Sequence, residues 1–117
     1  DDGGGVIVPV SSIAALRGQA TTSDYAASKA ALTAMAVQAD DELRSRGVRI
    51  HVLTPGYVHT PLLAPYTADA RFTTSVESRI PLGRIARPDE VAAAAQYLLT
   101  TNAVASDFVV DGRYVCA

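Results

Sequence analysis

Cysteine is nearly absent from this 117-residue chain, in which Cys116, beside the C-terminus, is the single thiol. One cysteine excludes an internal disulfide and is typical of a reducing compartment, so we expect a cytoplasmic protein. A position so near the end offers few neighbours to hold and activate a thiol, so we expect no catalytic cysteine. The two histidines, His51 and His59, and the nearby acids lack metal-ligand spacing, which predicts that no metal is bound.

Long hydrophobic runs and strong charge bias are also missing. No apolar run reaches the roughly 20 residues that span a bilayer, and no basic start with an apolar run marks a signal peptide. The net charge is −2, with nine arginines interleaved among acids, which excludes a nucleic-acid groove or an anionic-membrane patch. The chain lacks an initial Met and opens with DDGGGVIV, a loop entering a strand, so we expect an interior point of a longer protein.

Short apolar runs alternate with helical stretches, which predicts an α/β fold. The predicted strands cover 5–12, 48–56 and 106–112, and the predicted helices cover 24–46, about 68–79 and 87–100. This order predicts a three-stranded parallel sheet with two right-handed crossover connections. Pro9 is unusual in such a strand because proline cannot donate to a ladder. Ligands of these sheets bind beyond the carboxyl ends of the strands.

Lysine is the scarcest charged residue, since Lys29 is the only one, four places after Tyr25 in the run SDYAASKAA. Positions i and i+4 share one face of a helix, and an ammonium there stabilises a phenolate, so the tyrosine can exchange a proton with an alcohol or carbonyl. Ser12 ends the preceding strand and could hold the substrate oxygen. Taken alone, the pair equally fits a solvated lysine beside a packed tyrosine.

Five segments strengthen the catalytic interpretation because they occur in one order: SSIAALRG, YAASKAAL, VRIHVLTPGYVHTP, PLGRIARPDEVA and DFVVDG. Together, from about Gly5 to Tyr114, they resemble the C-terminal half of the short-chain dehydrogenase/reductase family. The resemblance implies that 1–117 is the C-terminal catalytic half of a Rossmann-type, doubly wound domain, without its N-terminal nucleotide-binding half. Gly3, Gly4 and Gly5 do not replace that half's phosphate loop, because they precede a strand and open no helix.

The resemblance also implies catalytic roles. Ser12 is similar to the family's catalytic serine, Tyr25 to its general acid/base, and Ser11 to a structural residue behind the site. Lys29 would assist the tyrosine and hydrogen-bond the nicotinamide ribose, which a flexible point-charge donor does better than an arginine fork. The activity implied is hydride transfer between NAD or NADP, not distinguished here, and a small alcohol or carbonyl substrate.

Further along the chain, the resemblance implies a nicotinamide-binding segment and a substrate loop. Pro55 and Gly56 would form a turn that lets the backbone approach the nicotinamide, and Val58 and Thr60 would hold its carboxamide. The region of about 57–87 corresponds to the substrate loop. The alanine-rich helix at 24–46 would pair with its symmetry mate, so we expect a homodimer or homotetramer.

The sequence departs from the family pattern at Pro9, usually asparagine, at Val104 and Ala105, usually Thr-Gly, and at Arg113, usually glycine. Two other readings therefore stay open. One is a non-catalytic fragment or pseudo-enzyme that acts as a subunit or interaction module. The other, disfavoured by the short C-terminal region, is an isomerase or lyase that uses the same Tyr and Lys.

Overall fold

The computed structural model describes residues 3–101 and 107–116. Four short strands and four α-helices alternate in the order β1–α1–β2–β3–α2–α3–α4–β4. The strands are β1 Gly5–Ile7, β2 Val48–Ile50, β3 Leu53–Pro55 and β4 Phe108–Val110. The helices are α1 Ser23–Leu43, α2 Ala64–Thr67, α3 Ala70–Glu77 and α4 Pro88–Thr100. Three 3-10 turns cover Ile13–Ala15, Arg44–Arg46 and Tyr114–Cys116.

The strands are parallel, as predicted, and the segment 48–55 lies in the middle. Its first part, β2, pairs with β1, and its second part, β3, pairs with β4. A bridge between Val10 and Leu53 continues the β1 side. The structure thus divides the single strand predicted at 48–56. The division falls beside Pro9, whose carbonyl accepts from Leu53 N at 3.0 Å but which has no N–H to return to the same neighbour.

Helix α1 confirms the prediction at 24–46, since 21 α-helical residues continue into the turn Arg44–Arg46. Gly47 ends the segment with a left-handed φ of +72°, and its carbonyl accepts from Gly5 N at 3.1 Å. Asp40 ties the helix to β2, because its Oδ1 accepts from Ile50 N at 2.7 Å. That backbone hydrogen bond, helped by Arg44, lowers the pKa of the Asp40 carboxyl.

Little of α1 is covered, although its sequence is apolar on nearly every face. Ala36 is its one buried residue, and it packs with Ile50 and Val52 of the central segment. The described chain is elongated, 53 × 27 × 25 Å, with a radius of gyration of 15.6 Å. A compact chain of this length would have about 13 Å. The sheet and α1 therefore form an open half-core rather than a closed one.

The loop region 57–87 packs more tightly than its irregular sequence predicts. It contains two helices, α2 and α3, where the sequence predicted one at about 68–79, because Asp69 interrupts the helix and caps α3 through Arg71 N at 2.9 Å. A buried set, here called the loop cluster, joins this region to the chain on both sides. Its members are Ile13, Val76, Ile80, Ile85 and Tyr114.

Helix α4 confirms the helix predicted at 87–100 and the assignment of its acids to the helix start. Pro88 stands in the first turn, and Glu90 accepts from Arg87 N at 2.8 Å and from Arg84 Nη2 at 2.7 Å. The Arg84 guanidinium, with the Arg87 N–H, lowers the pKa of Glu90 to about 2. The pair thus fastens the end of the loop region to α4.

The third predicted strand, 106–112, is represented by β4, and residue 106 lies outside the described residues, as do Val104 and Ala105. Within the described ranges, no helix is both long and apolar enough to cross a membrane.

Candidate functional site

Ser11 joins the end of the first strand to helix α1. It is buried, its N–H donates to Leu53 O at 2.7 Å, and its Oγ donates to Lys29 O at 3.2 Å. Its Oγ also lies 2.8 Å from Thr33 Oγ1. These contacts match the structural role that the sequence indicates, because they fix the helix turn carrying Lys29 against the strand end.

Ser12 is half-buried at the start of the 3-10 turn Ile13–Ala15, which packs against α1. Its extended backbone ends the strand, and its Oγ accepts from Ala14 N at 3.2 Å. A hydroxyl that accepts one hydrogen bond still has its O–H to donate. Ser12 is therefore oriented by the backbone while retaining a donor for a ligand oxygen.

Tyr25 and Lys29 occupy the first two turns of α1 on one face. Lys29 Nζ lies 5.7 Å from the centroid of the Tyr25 ring, and the ring is 40 % exposed. Nζ also donates to Val10 O at 2.9 Å, at the end of the first strand. An ammonium has three N–H donors, so this contact fixes the side chain and leaves donors for a further partner. Strand end, ammonium and phenol are thus brought together as predicted.

The Pro55–Gly56 turn lies at the same edge of the sheet, because the Ser11–Leu53 hydrogen bond places the ends of the first strand and β3 side by side. Gly56 N donates to Val110 O at 2.9 Å. A Cβ at Gly56 would lie 2.7 Å from Asp111 Cα, which is closer than real Cβ contacts. The close approach that requires this glycine in the structure is therefore to Asp111 of the neighbouring strand end.

Val58 forms a parallel bridge with Ala86, which shapes the segment after the turn. Ala86 N donates to Tyr57 O at 3.0 Å, and His59 N donates to Ala86 O at 2.9 Å. In an extended segment alternate peptide groups face opposite sides, so the N–H and C=O of Val58 face away from Ala86. Thr60 follows, half-buried, with its carbonyl accepting from two N–H groups at 3.0 Å.

The two histidines differ in exposure. His51 is fully buried in the central segment, as expected of a core histidine, whereas His59 is exposed. Neither forms part of the Tyr25–Lys29 arrangement by any contact within the described residues.

Two contacts of the site were missed by reasoning from the sequence. The Val10 carbonyl that receives Lys29 left no signal, because any residue type supplies a carbonyl. Tyr114, which packs against Tyr57 with ring centroids 5.5 Å apart, left a weak one. Aromatic residues make up only 6 % of the chain, so a tyrosine directly after a strand end was a candidate for burial.

A family model described as enoyl-(acyl carrier protein) reductase matches residues 1–113. A similar curated protein is an uncharacterised short-chain type dehydrogenase/reductase of Sinorhizobium fredii, 40 % identical over 96 % of this chain and 21 % of its own length. Another is the cis-4-hydroxycyclohexanecarboxylate dehydrogenase of Sinomonas cyclohexanicum, 42 % identical over 96 % of this chain and 45 % of its own. The chain therefore spans less than half the length of these relatives.

A solved structure shows the same arrangement of elements. It is a putative NAD(P)-dependent gluconate 5-dehydrogenase of Beutenbergia cavernae with bound NADP, 32 % identical, with a TM-score of 0.92. The match covers 97 % of this chain and 47 % of that one. Sequence and fold agree with the serine, tyrosine and lysine geometry described above, and the chain belongs to the short-chain dehydrogenase/reductase family.

Proposed function

We propose that this chain carries the proton-transfer side of an NAD(P)-dependent oxidoreductase that interconverts a small alcohol and its carbonyl compound. The observation that carries the proposal is the placement of Lys29 Nζ, 5.7 Å from the Tyr25 ring and hydrogen-bonded to the strand end that leads to Ser12. The similar proteins reported above, named as dehydrogenases or reductases of alcohols and carbonyls, support the same chemistry.

Each of the three side chains has a distinct task in this mechanism. Ser12, oriented by Ala14 N, donates its O–H to the substrate oxygen and holds it in place. Tyr25 passes a proton to that oxygen during reduction and removes it during oxidation. The Lys29 ammonium stabilises the charge that remains on the phenolate.

The residues present fit a nicotinamide dinucleotide, NAD or NADP. Lys29 keeps N–H donors for ribose hydroxyls, and the outward N–H and C=O of Val58 suit the donor and acceptor of a carboxamide. Thr60 offers a further hydroxyl, and the Pro55–Gly56 turn brings this segment to the sheet edge. When bound, the nicotinamide supplies or accepts the hydride.

Replacement of Tyr25 by phenylalanine tests the proposal. The full-length protein should oxidise members of an alcohol panel with NAD or NADP, and Tyr25→Phe should lower kcat by about 10²–10⁴-fold. Cofactor binding, followed by quenching or transfer of NADH or NADPH fluorescence, should persist. Tyr66→Phe is the matched control, because Tyr66 is an exposed tyrosine on α2. Near-normal turnover in Tyr25→Phe would remove the assignment.

We also propose a homodimer or homotetramer that buries the outer face of α1. Ala31 and Ala34 are exposed there beside Met35, which is 63 % exposed, and small side chains allow close helix approach. Ala34→Glu should shift the full-length protein toward monomer in light scattering, whereas Ala70→Glu, at an exposed alanine of α3, should not. A wild-type monomer would contradict this. The single thiol Cys116 supports a cytoplasmic location.

A second candidate, a non-catalytic interaction module, is favoured by one observation. The outer edge of β1 and most of α1 are uncovered in the described chain, and such surfaces bind other chains. This candidate predicts that the full-length protein binds no nicotinamide dinucleotide and turns over no alcohol, so the titration above separates the two.

A further inference from the structure

Tyr114 is the most deeply buried of the tyrosines, at 3 % exposed, although it lies in the last turn of the described chain. Its ring meets the edge of the Tyr57 ring at an interplanar angle of 87°. The Tyr57 hydroxyl hydrogen-bonds to Tyr114 and to Gln19. Burial and this bond to Tyr114 raise the pKa of Tyr57, so the pair stays neutral and keeps its hydrogen bond across the physiological range.

Tyr114 is itself firmly held. Arg17 Nη1 donates to its carbonyl at 3.0 Å, and the guanidinium carbon lies 5.0 Å from its ring centroid. Arg79 approaches the same ring at 5.8 Å. The turn before it is pinned by Asp111, whose carboxylate accepts from Arg113 N and Val115 N, both at 2.8 Å. The ring is therefore a fixed post rather than a mobile terminus.

Tyr57 transmits this fixed position to the segment that follows it. Its carbonyl accepts from Ala86 N at 3.0 Å, so its backbone is held on one side and its side chain on the other. The next residue is Val58, whose outward peptide groups the proposed function uses for the carboxamide. A residue fixed at both ends limits how far the adjacent peptide can rotate or shift.

We propose that Tyr114 is a positioning residue for the segment 57–60 and acts through its hydrogen bond to Tyr57. The inference rests on the proposed function for its consequence, which is the geometry of cofactor binding, but the positioning itself is a property of the chain. Tyr114 touches neither Ser12, Tyr25 nor Lys29 in any hydrogen bond or ring contact of the described residues.

The test must separate positioning from mere packing, since Tyr114 also belongs to the loop cluster. Tyr114→Phe keeps the ring and removes only the hydroxyl, so the core stays filled. Tyr57→Phe removes the other partner of the same bond, and the double variant completes the cycle. Tyr66→Phe serves as the control on an exposed tyrosine.

Two measurements are made on the full-length protein. Hydrogen exchange without cofactor reports the amides of His59 and Ala86, which hold the segment. Each single variant should exchange about 3–10-fold faster there, as loss of one net hydrogen bond implies, and the double variant should be no faster than the singles. The Kd for NADH or NADPH should rise about 3–10-fold with kcat within about twofold, because Tyr114 touches no reacting group.

Unchanged exchange at His59 and Ala86 in Tyr114→Phe would overturn the inference, and so would independent, multiplying effects in the double variant. A lower melting temperature with unchanged exchange and Kd would reduce Tyr114 to a packing residue and also overturn it. If the wild-type protein binds neither dinucleotide, the proposed function fails, while the exchange result still decides whether Tyr114 positions the segment.

Discussion

Two regions of this molecule are supported to very different degrees. The sheet side, made of β1, β2 and α1, exposes Ile7 and Val10 by almost half and buries a single residue of a 21-residue helix. The loop cluster, built from an irregular region and the chain end, buries Val76 and Ile85 almost completely. The part with the clearest sequence periodicity is thus the part with the thinner core.

The difference separates chemistry from support. Tyr25 and Lys29 stand on the sheet side, whose helix is apolar all round, as in helices buried on several faces. The described residues cover one of those faces. The substrate loop, in contrast, supplies its own core through Ile80, Ile85 and Tyr114. We therefore expect catalytic changes and stability changes to fall in different halves of the molecule.

The largest expected effect breaks the chemistry and leaves the loop cluster intact. Lys29→Arg keeps the charge but replaces a compact donor by a planar fork, which cannot keep both the Val10 carbonyl and a ribose partner. We expect kcat of the full-length protein to fall by about 10²-fold or more, with unfolding unchanged. Arg17→Lys, the opposite exchange on the loop side, should change kcat by about twofold. Equal losses in both variants would merge the two regions.

A pair of truncations sharpens the contrast in stability. Ile85→Ala opens a cavity in the loop cluster and should lower the free energy of unfolding by about 2–5 kcal/mol. Met35→Ala removes an exposed side chain of α1 and should change it by about 0.5 kcal/mol at most. Urea denaturation of the full-length protein measures both. A larger loss from Met35→Ala would show that α1, not the loop cluster, has the stronger packing.

Acid should weaken the junction between the loop region and α4. The pKa of Glu90 is about 2 in the folded chain and 4.5 otherwise, so the Arg84–Glu90 pair stabilises the fold fully above pH 4.5. That contribution is lost as the pH falls from 4.5 toward about 2. Glu90→Gln should therefore destabilise the protein at pH 7 and converge with the wild type near pH 2. Melting curves that stay parallel across this range would refute the linkage.

The smallest effect concerns the turn that carries Tyr114. Arg113 has a left-handed φ of +71°, which costs a residue with a Cβ about 1–2 kcal/mol. Arg113→Gly removes that strain but adds unfolded-state entropy, so we expect a net gain of about 1 kcal/mol or less in thermal unfolding. A clear loss of stability would mean that the arginine side chain itself holds the turn.

Much of the fold and of the candidate site could be predicted because local rules govern it. Alternating apolar runs predicted the strands, and the basic stretch before Gly47 predicted the end of α1, which the structure places within the turn at 44–46. The i, i+4 spacing predicted that Tyr25 and Lys29 share a face. The catalytic roles of Ser12, Tyr25 and Lys29 remain predictions, because geometry alone does not test them.

What could not be predicted depends on distant partners. The break at Ile50 follows from Pro9, 41 positions earlier in the chain, through a ladder bond that proline cannot donate. The need for Gly56 follows from Asp111, and the burial of Tyr114 from Arg17, Arg79 and Tyr57. Such contacts join segments whose spacing in sequence carries no period, so only the fold shows them.

Residue-resolved hydrogen exchange of residues 1–117 alone, with and without NADH, tests the central contrast most directly. We predict slow exchange for amides of the loop cluster around Val76 and Ile85, fast exchange for β1 and the first half of α1, and weak or no effect of NADH. That result would show a self-supporting loop region beside a catalytic side that depends on additional cover. Uniformly slow exchange, with micromolar NADH binding that further protects α1, would contradict the account.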